Sequence, residues 1–119
     1  MAVKYSNNAS TTINGAITAA ATSITVNDVS EFPTLTGSDY TYLTLSTLDA
    51  TTIEVIKVTA INTSTKVLTV IRGQDDTTGA IFSSGDICEL RLNAAMLNAA
   101  ASQNDDALGT AVAMSIALG

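Results

Sequence analysis

Two hydrophobic periods divide the chain. "YTYLTLS", Tyr40 to Ser46, alternates: Leu43 and Leu45 fall on one face, Tyr42 and Thr44 on the other. That is the period of a half-buried strand. "TIEVIKVTAI", Thr52 to Ile61, predicts a longer strand whose apolar parity shifts between Val55 and Ile56. Either both faces are covered there, or a β-bulge restores one face. "VLTVIR", Val67 to Arg72, follows the polar "NTSTK" and predicts a hairpin with the strand before it. "LDAT", Leu48 to Thr51, joins the first two strands, so the centre reads as a three-stranded meander. Ser23 to Val26 alternates briefly, as a short strand does. "DICELRL" places Cys88, Leu90 and Leu92 inward and Glu89 and Arg91 outward.

Before the centre, Ile13 and Ile17 flank Asn14-Gly15, a turn dipeptide. A helical reading of "GAITAAA" competes with this turn, and Thr18 and Thr22 weaken it. After Leu92 the period changes. "NAAMLNAAASQ" predicts a helix with Asn93 as its N-cap and Met96, Leu97 and Ala100 on one face. "NDDALGTAVAMSIALG" opens on carboxylates, which suit a helix N-terminus. Its apolar stripe is Leu108, Ala111, Val112 and Met114, with Ile116 and Leu118 at the end. Fraying would expose those last residues, so the tail either docks on its own sheet or packs against copies of itself.

This organisation gives a polar extended arm over 1–12, a β-domain over 13–92 and a helical tail over 93–119. The fold class is mainly β: a small antiparallel β-barrel or sandwich of roughly five to seven short strands with a C-terminal helical segment. At 119 residues, one domain is expected. Composition agrees with the patterning. Aromatic residues are only 4% and tryptophan is absent, so the core is built from Val, Ile, Leu and Ala. Charged residues are 13%, about half the usual share, and Thr, Ser and Asn supply the polarity instead.

Charge narrows the partners. The net charge is −6, and Lys4, Lys57, Lys66, Arg72 and Arg91 are scattered. Neither nucleic acid nor an anionic membrane surface is expected to bind, because both need a basic patch. No run approaches the roughly 20 apolar residues of a membrane span, and "MAVKYSNNAS" lacks the apolar core of a signal peptide. Cys88 is the lone cysteine, which excludes an intrachain disulfide and reads as a small buried thiol.

The catalytic inventory is thin. The chain has no histidine, which excludes a Ser-His-Asp triad, a Cys-His pair and a His-ligated zinc site. No phosphate-binding or nucleophile-elbow motif occurs. "VIRGQDDTTGA", Val70 to Ala80, holds the residue types of a metal or phosphate loop. It lacks the alternating oxygen ligands and closing glutamate of a calcium loop. The reading is a structured turn: Gly73 and Gly79 relax the backbone, Asp and Thr satisfy loop amides, and Arg72 pairs with a nearby acid. Neither an enzyme nor a cofactor is expected.

The order of the segments adds a resemblance. "ATSITVNDVSEFP", then "VIRGQDDTTGA", then "ELRLNAAMLN" resemble a small β-domain of tailed-bacteriophage virion proteins over roughly residues 16 to 98. That domain recurs at the particle-attached N-terminus of tail fibres and spikes and in short structural or decoration proteins. Arg72, Gly73 and Asp75 match its signature turn, and Asn93 stands where its helix often begins with Thr or Ser. The resemblance implies a non-enzymatic structural protein of the virion, assembled in the host cytoplasm, that binds other virion proteins (capsid, portal or adaptor, or tail). A homo-oligomer is implied, a trimer in first place. Longer fibres of this kind continue after the helix into a shaft, and with the sequence stopping at Gly119 a distal receptor-binding tip is not expected. An attachment module is therefore the leading expectation and a capsid decoration, or cement, protein the alternative. A glycan-binding module resting on Tyr5, Tyr40 and Tyr42 is the third. The expected oligomer or partner contacts are Met96, Leu97, Leu108, Val112, Met114 and Ile116, with edge strands and the N-terminal arm augmenting a neighbour's sheet.

Overall fold

The alternating and β-branched segments become the strands of one antiparallel sheet. In the computed structural model these are β1 (Ser10–Thr12), β2 (Ser23–Thr25), β3 (Thr41–Ser46), β4 (Ile53–Asn62), β5 (Val67–Gln74) and β6 (Ile87–Glu89). The structure describes residues 3, 4, 6, 9–91, 93–95 and 97–101. The strand order is β1-β6-β3-β4-β5-β2, so the meander β3-β4-β5 forms the centre and β1 and β2 are the edges. The sheet curls into a half-barrel. Its edges meet at a single antiparallel bridge, Ile13 to Val26. The amides of Asn14 and Asn27 reinforce this seam by donating to the carbonyls of Thr25 (2.8 Å) and Thr12 (3.0 Å).

At the parity shift between Val55 and Ile56 the first alternative holds. Glu54, Val55 and Ile56 are all buried, so both faces are covered at that point. Further along, Val58 pairs with Val70 while Ala60 pairs with Thr69, which makes Thr59 the extra residue of a bulge. The bulge returns Ile61 to the core face, where it packs on the main cluster. A second irregularity lies on β5, between the pairs Val55–Gln74 and Lys57–Ile71. Gly73 sits in it with φ +61°, a left-handed conformation that glycine adopts without a Cβ penalty.

The core lies inside the half-barrel and is almost entirely aliphatic. Ile13, Ile24, Leu43, Leu45, Ile56 and Leu68 are fully buried, each contributing about 1.5–3 kcal/mol. Phe32 and Phe82 are the aromatic exceptions, and the Phe82 backbone bridges to Ile17. Cys88 is fully buried beside Leu45 on the same face. Leu92 lies outside the described residues. The segment "GAITAAA" is not helical; Ala21 closes a turn onto the Thr18 carbonyl.

Part of the expected arm belongs to the sheet. Ser10–Thr12 pairs with β6, Ala9 is buried, and the Val3 backbone bridges in parallel to Tyr40. The sheet thus begins before Ile13. Three consecutive Ser and Thr residues give no hydrophobic alternation from which to read a strand, so only the pairing with β6 reveals it.

A short helix, α1, spans 94–101. The Leu97 amide donates to the Asn93 carbonyl at 3.0 Å, which places Asn93 at the N-cap position. The helix covers the outer side of the sheet. Ala99 and Ala100 join Val3, Tyr40, Tyr42 and Leu90 in a second, smaller apolar cluster.

Candidate functional site

Arg72 points into the barrel because it shares the parity of Leu68 and Val70 on β5. Glu54 points there too, sharing the parity of Ile56 and Val58 on β4. The two meet as a buried ion pair, their side chains 8% and 0% exposed. Glu54 Oε1 accepts from Arg72 Nη2 at 2.7 Å and from the Ala80 amide at 2.9 Å. Glu54 Oε2 accepts from Arg72 Nε at 2.8 Å and from the Gly73 amide at 2.9 Å. The remaining guanidinium hydrogens go to backbone carbonyls: Nη1 to Thr18 (2.6 Å) and Ala21 (3.2 Å), Nη2 to Ala80 (2.6 Å).

All five N–H groups of the guanidinium and all four acceptor positions of the carboxylate are therefore used within the chain. Burial pushes the Glu54 carboxyl up. The Arg72 hydrogen bonds and the Gly73 and Ala80 amides outweigh this and hold it below its usual value. The pair remains ionised and has no position left for a substrate, metal or phosphate. Its chemistry is mechanical: it ties β4, β5, the turn after β5 and the loop before β2 at one point.

The turn after β5 is built around this lock. Gly73 supplies left-handed backbone, and Asp75 and Asp76 continue it at φ +53° and +61°. Asp tolerates that region better than most residues. Gly79 has a different task. A Cβ there would lie 2.5 Å from the Ala19 carbonyl oxygen, so its missing side chain lets the two loops touch. Thr77 Oγ1 donates to the Gln74 carbonyl (2.6 Å) and accepts the Val55 amide (2.9 Å), which pins the turn to β4.

Asp75 carries the turn to the helix. Its Oδ1 accepts the Ala95 amide at 3.1 Å, capping the start of α1. Beside it, the Tyr40 and Tyr42 rings meet edge to face at 5.7 Å, and Lys57 Nζ lies 4.4 Å over the Tyr40 ring. Burial first, then Tyr40 and Asp75, push the Tyr42 hydroxyl above its ordinary value. Both rings are half-buried and pack against other parts of the chain.

The structure thus brings Arg72, Gly73 and Asp75 together at the end of β5 and the turn that follows it. Of the expected contact residues, Leu97 is half-buried on α1. Met96, Leu108, Val112, Met114 and Ile116 lie outside the described residues, as does Tyr5. Among the described residues, no three His, Cys, Asp or Glu side chains cluster as a metal site would require. No helix among them is long and apolar enough to cross a membrane. The sequence alone implies an acid for Arg72 without singling out Glu54. One signal was available: a glutamate on the in-facing parity of a strand, two residues before Ile56, needs a buried cation.

These features define a small antiparallel half-barrel, closed by a seam and locked internally by one ion pair. No protein-family model matches the chain, and a comparison with curated proteins finds no match.

Proposed function

We propose that the chain is a non-enzymatic structural protein of a tailed-phage virion, an attachment module that assembles as an oligomer on the particle. One observation supports this reading above others. The three segments that carry the resemblance converge on the signature turn: Arg72 reaches the Ala21 carbonyl at the start of the first segment, and Asp75 caps the helix of the third at Ala95. Arg72 and Asp75 thus tie together the segments that carry the resemblance.

The mechanism is assembly through the C-terminal segment, with Met96, Leu97, Leu108, Val112, Met114 and Ile116 as the contacts. Augmentation of a neighbour through Ser10–Thr12 is dropped from the reading, because one side of that strand is paired with β6 and the other is taken up at the seam, where the Asn27 amide donates to the Thr12 carbonyl and the Asp28 amide to Thr11 Oγ1. The glycan reading loses its support as well, since Tyr40 and Tyr42 face Lys57 and α1 rather than forming an open platform. Sedimentation equilibrium of the purified chain tests the oligomer. Three times the 12.2 kDa chain mass is expected, and a monomer would sink the reading. A map of the phage particle separates attachment from decoration: density confined to the tail vertex supports the former, density at every capsomer the latter.

A further inference from the structure

The seam that closes the half-barrel contains the chain's only Asn-Gly dipeptide, Asn14-Gly15. Both residues are exposed. Among the described residues, nothing hydrogen-bonds the Asn14 carboxamide. Glycine after asparagine is the combination most open to succinimide formation, because no Cβ hinders the approach of its amide nitrogen to the asparagine Cγ. Gly15 also stands at φ +96°, where a side chain would be strained. The one barrier in view is Ser84. The Gly15 amide donates to Ser84 Oγ at 3.0 Å, while that hydroxyl donates to the Ile13 carbonyl at 3.4 Å. The hydroxyl proton is committed elsewhere, so the oxygen faces Gly15 as an acceptor. A hydrogen bond to the neutral N–H opposes its ionisation, and the nitrogen must lose that proton to attack.

We propose that Asn14 is a spontaneous deamidation site whose rate Ser84 restrains. The Gly15 nitrogen, giving its proton to solvent base, forms a bond to Asn14 Cγ, and the carboxamide nitrogen leaves as ammonia. Water then opens the five-membered imide at either carbonyl, yielding aspartate or isoaspartate. No oxidant or cofactor is involved. Each event adds one negative charge, and isoaspartate adds a methylene to the backbone. The insertion falls between Ile13, bridged to Val26, and Ile17, bridged to Phe82. It also displaces Asn14, whose amide donates to the Thr25 carbonyl at the seam. Ageing at this dipeptide therefore loosens the closure of the half-barrel.

The test is timed incubation of the full folded chain in mildly alkaline buffer, read by peptide mapping that separates Asn, Asp and isoAsp at position 14. The wild type is expected to accumulate isoaspartate at Asn14 ahead of Asn27 and Asn62. Ser84→Ala is expected to accelerate it about fivefold, the factor that a net hydrogen bond of ~1 kcal/mol represents. Ser84→Thr retains the acceptor and restores the slow rate, which separates loss of the hydroxyl from loss of the fold. Asn14→Gln, whose longer side chain closes the ring poorly, stays silent at position 14. The aged fraction is expected to melt at a lower temperature than the fresh chain. Equal rates in wild type and Ser84→Ala, or no excess at Asn14 over Asn27 and Asn62, overturn the proposal; an unchanged melting temperature overturns its seam consequence.

Discussion

Asp75 and Ala95 join the turn after β5 to the helix through one hydrogen bond, the Ala95 amide donating to Asp75 Oδ1 at 3.1 Å. The cap comes from a residue 20 positions earlier in the chain, on a turn whose own backbone is left-handed at that residue. Asp75→Ala removes the acceptor and puts a less tolerant residue at φ +53°. We expect a loss of about 0.5–2 kcal/mol, the range for helix caps, seen as a lower urea midpoint and faster hydrogen exchange over 95–101. Asp75→Asn keeps an oxygen and tolerates the backbone, so it should retain most of the stability. It removes the charge, so the Tyr42 hydroxyl should titrate closer to its ordinary value of 10.0 in an ultraviolet pH titration. No change in that titration would mean that Asp75 does not act on Tyr42.

The Glu54–Arg72 lock should be costly to break from either side. Glu54→Gln or Arg72→Met each leaves an uncompensated buried group, and a loss of about 3–5 kcal/mol is expected from chemical denaturation. Replacing both partners is often neutral in other proteins. Here it strands the Gly73 and Ala80 amides and the Thr18, Ala21 and Ala80 carbonyls, so the double variant should stay well below wild type. The lock also predicts acid sensitivity. The folded Glu54 carboxyl lies below its ordinary 4.5, so its contribution is complete above that value and is lost as pH falls through the folded value. Urea midpoints should fall as pH drops below about 4.5, and less steeply in Glu54→Gln. Equal slopes would remove Glu54 as the cause.

Cys88 should behave as an inert core atom. Burial, with Glu89 as the second influence, pushes its thiol up to about 12. The folded chain should not react with a thiol reagent at neutral pH, and labelling should track unfolding. The sign is opposite to that of Glu54. The folded value lies above the ordinary 9.0, so this contribution is complete below about pH 9 and is lost as pH rises toward about 12. Rapid labelling under native conditions would contradict the burial.

Gly79→Ala probes the contact between loops. The added methyl meets a backbone oxygen of Ala19 at 2.5 Å, so one loop must move. Overpacking of this kind costs about 1–3 kcal/mol. The movement would also disturb Ala80, whose amide and carbonyl both serve the lock. A thermal melt unchanged from wild type would show that the two loops are not in contact.

Much of the β-structure was legible because alternation is a local signal. Leu43, Leu45, Val58, Leu68 and Val70 reveal their common face through spacing alone, and the polar "NTSTK" marks the hairpin between β4 and β5. Ser10–Thr12 was not legible, since a three-residue polar strand has no pattern of its own and exists only through its pairing with β6. The turn after β5 was legible as a turn, while its two glycines differ in a way that spacing does not encode. Gly73 is needed for a dihedral angle, Gly79 for a close approach from Ala19.

The sequence by itself determined the fold class: an aliphatic, alternating chain forms a small, mainly β domain with a short helix after its last strand. Only the tertiary structure decided which acid Arg72 meets, where the sheet closes, and that Asp75 caps a helix far along the chain. The reason is range. Strand periodicity and turn preference act between near neighbours. Glu54 with Arg72, Ile13 with Val26 and Asp75 with Ala95 become partners only when the curl of the sheet brings distant segments together.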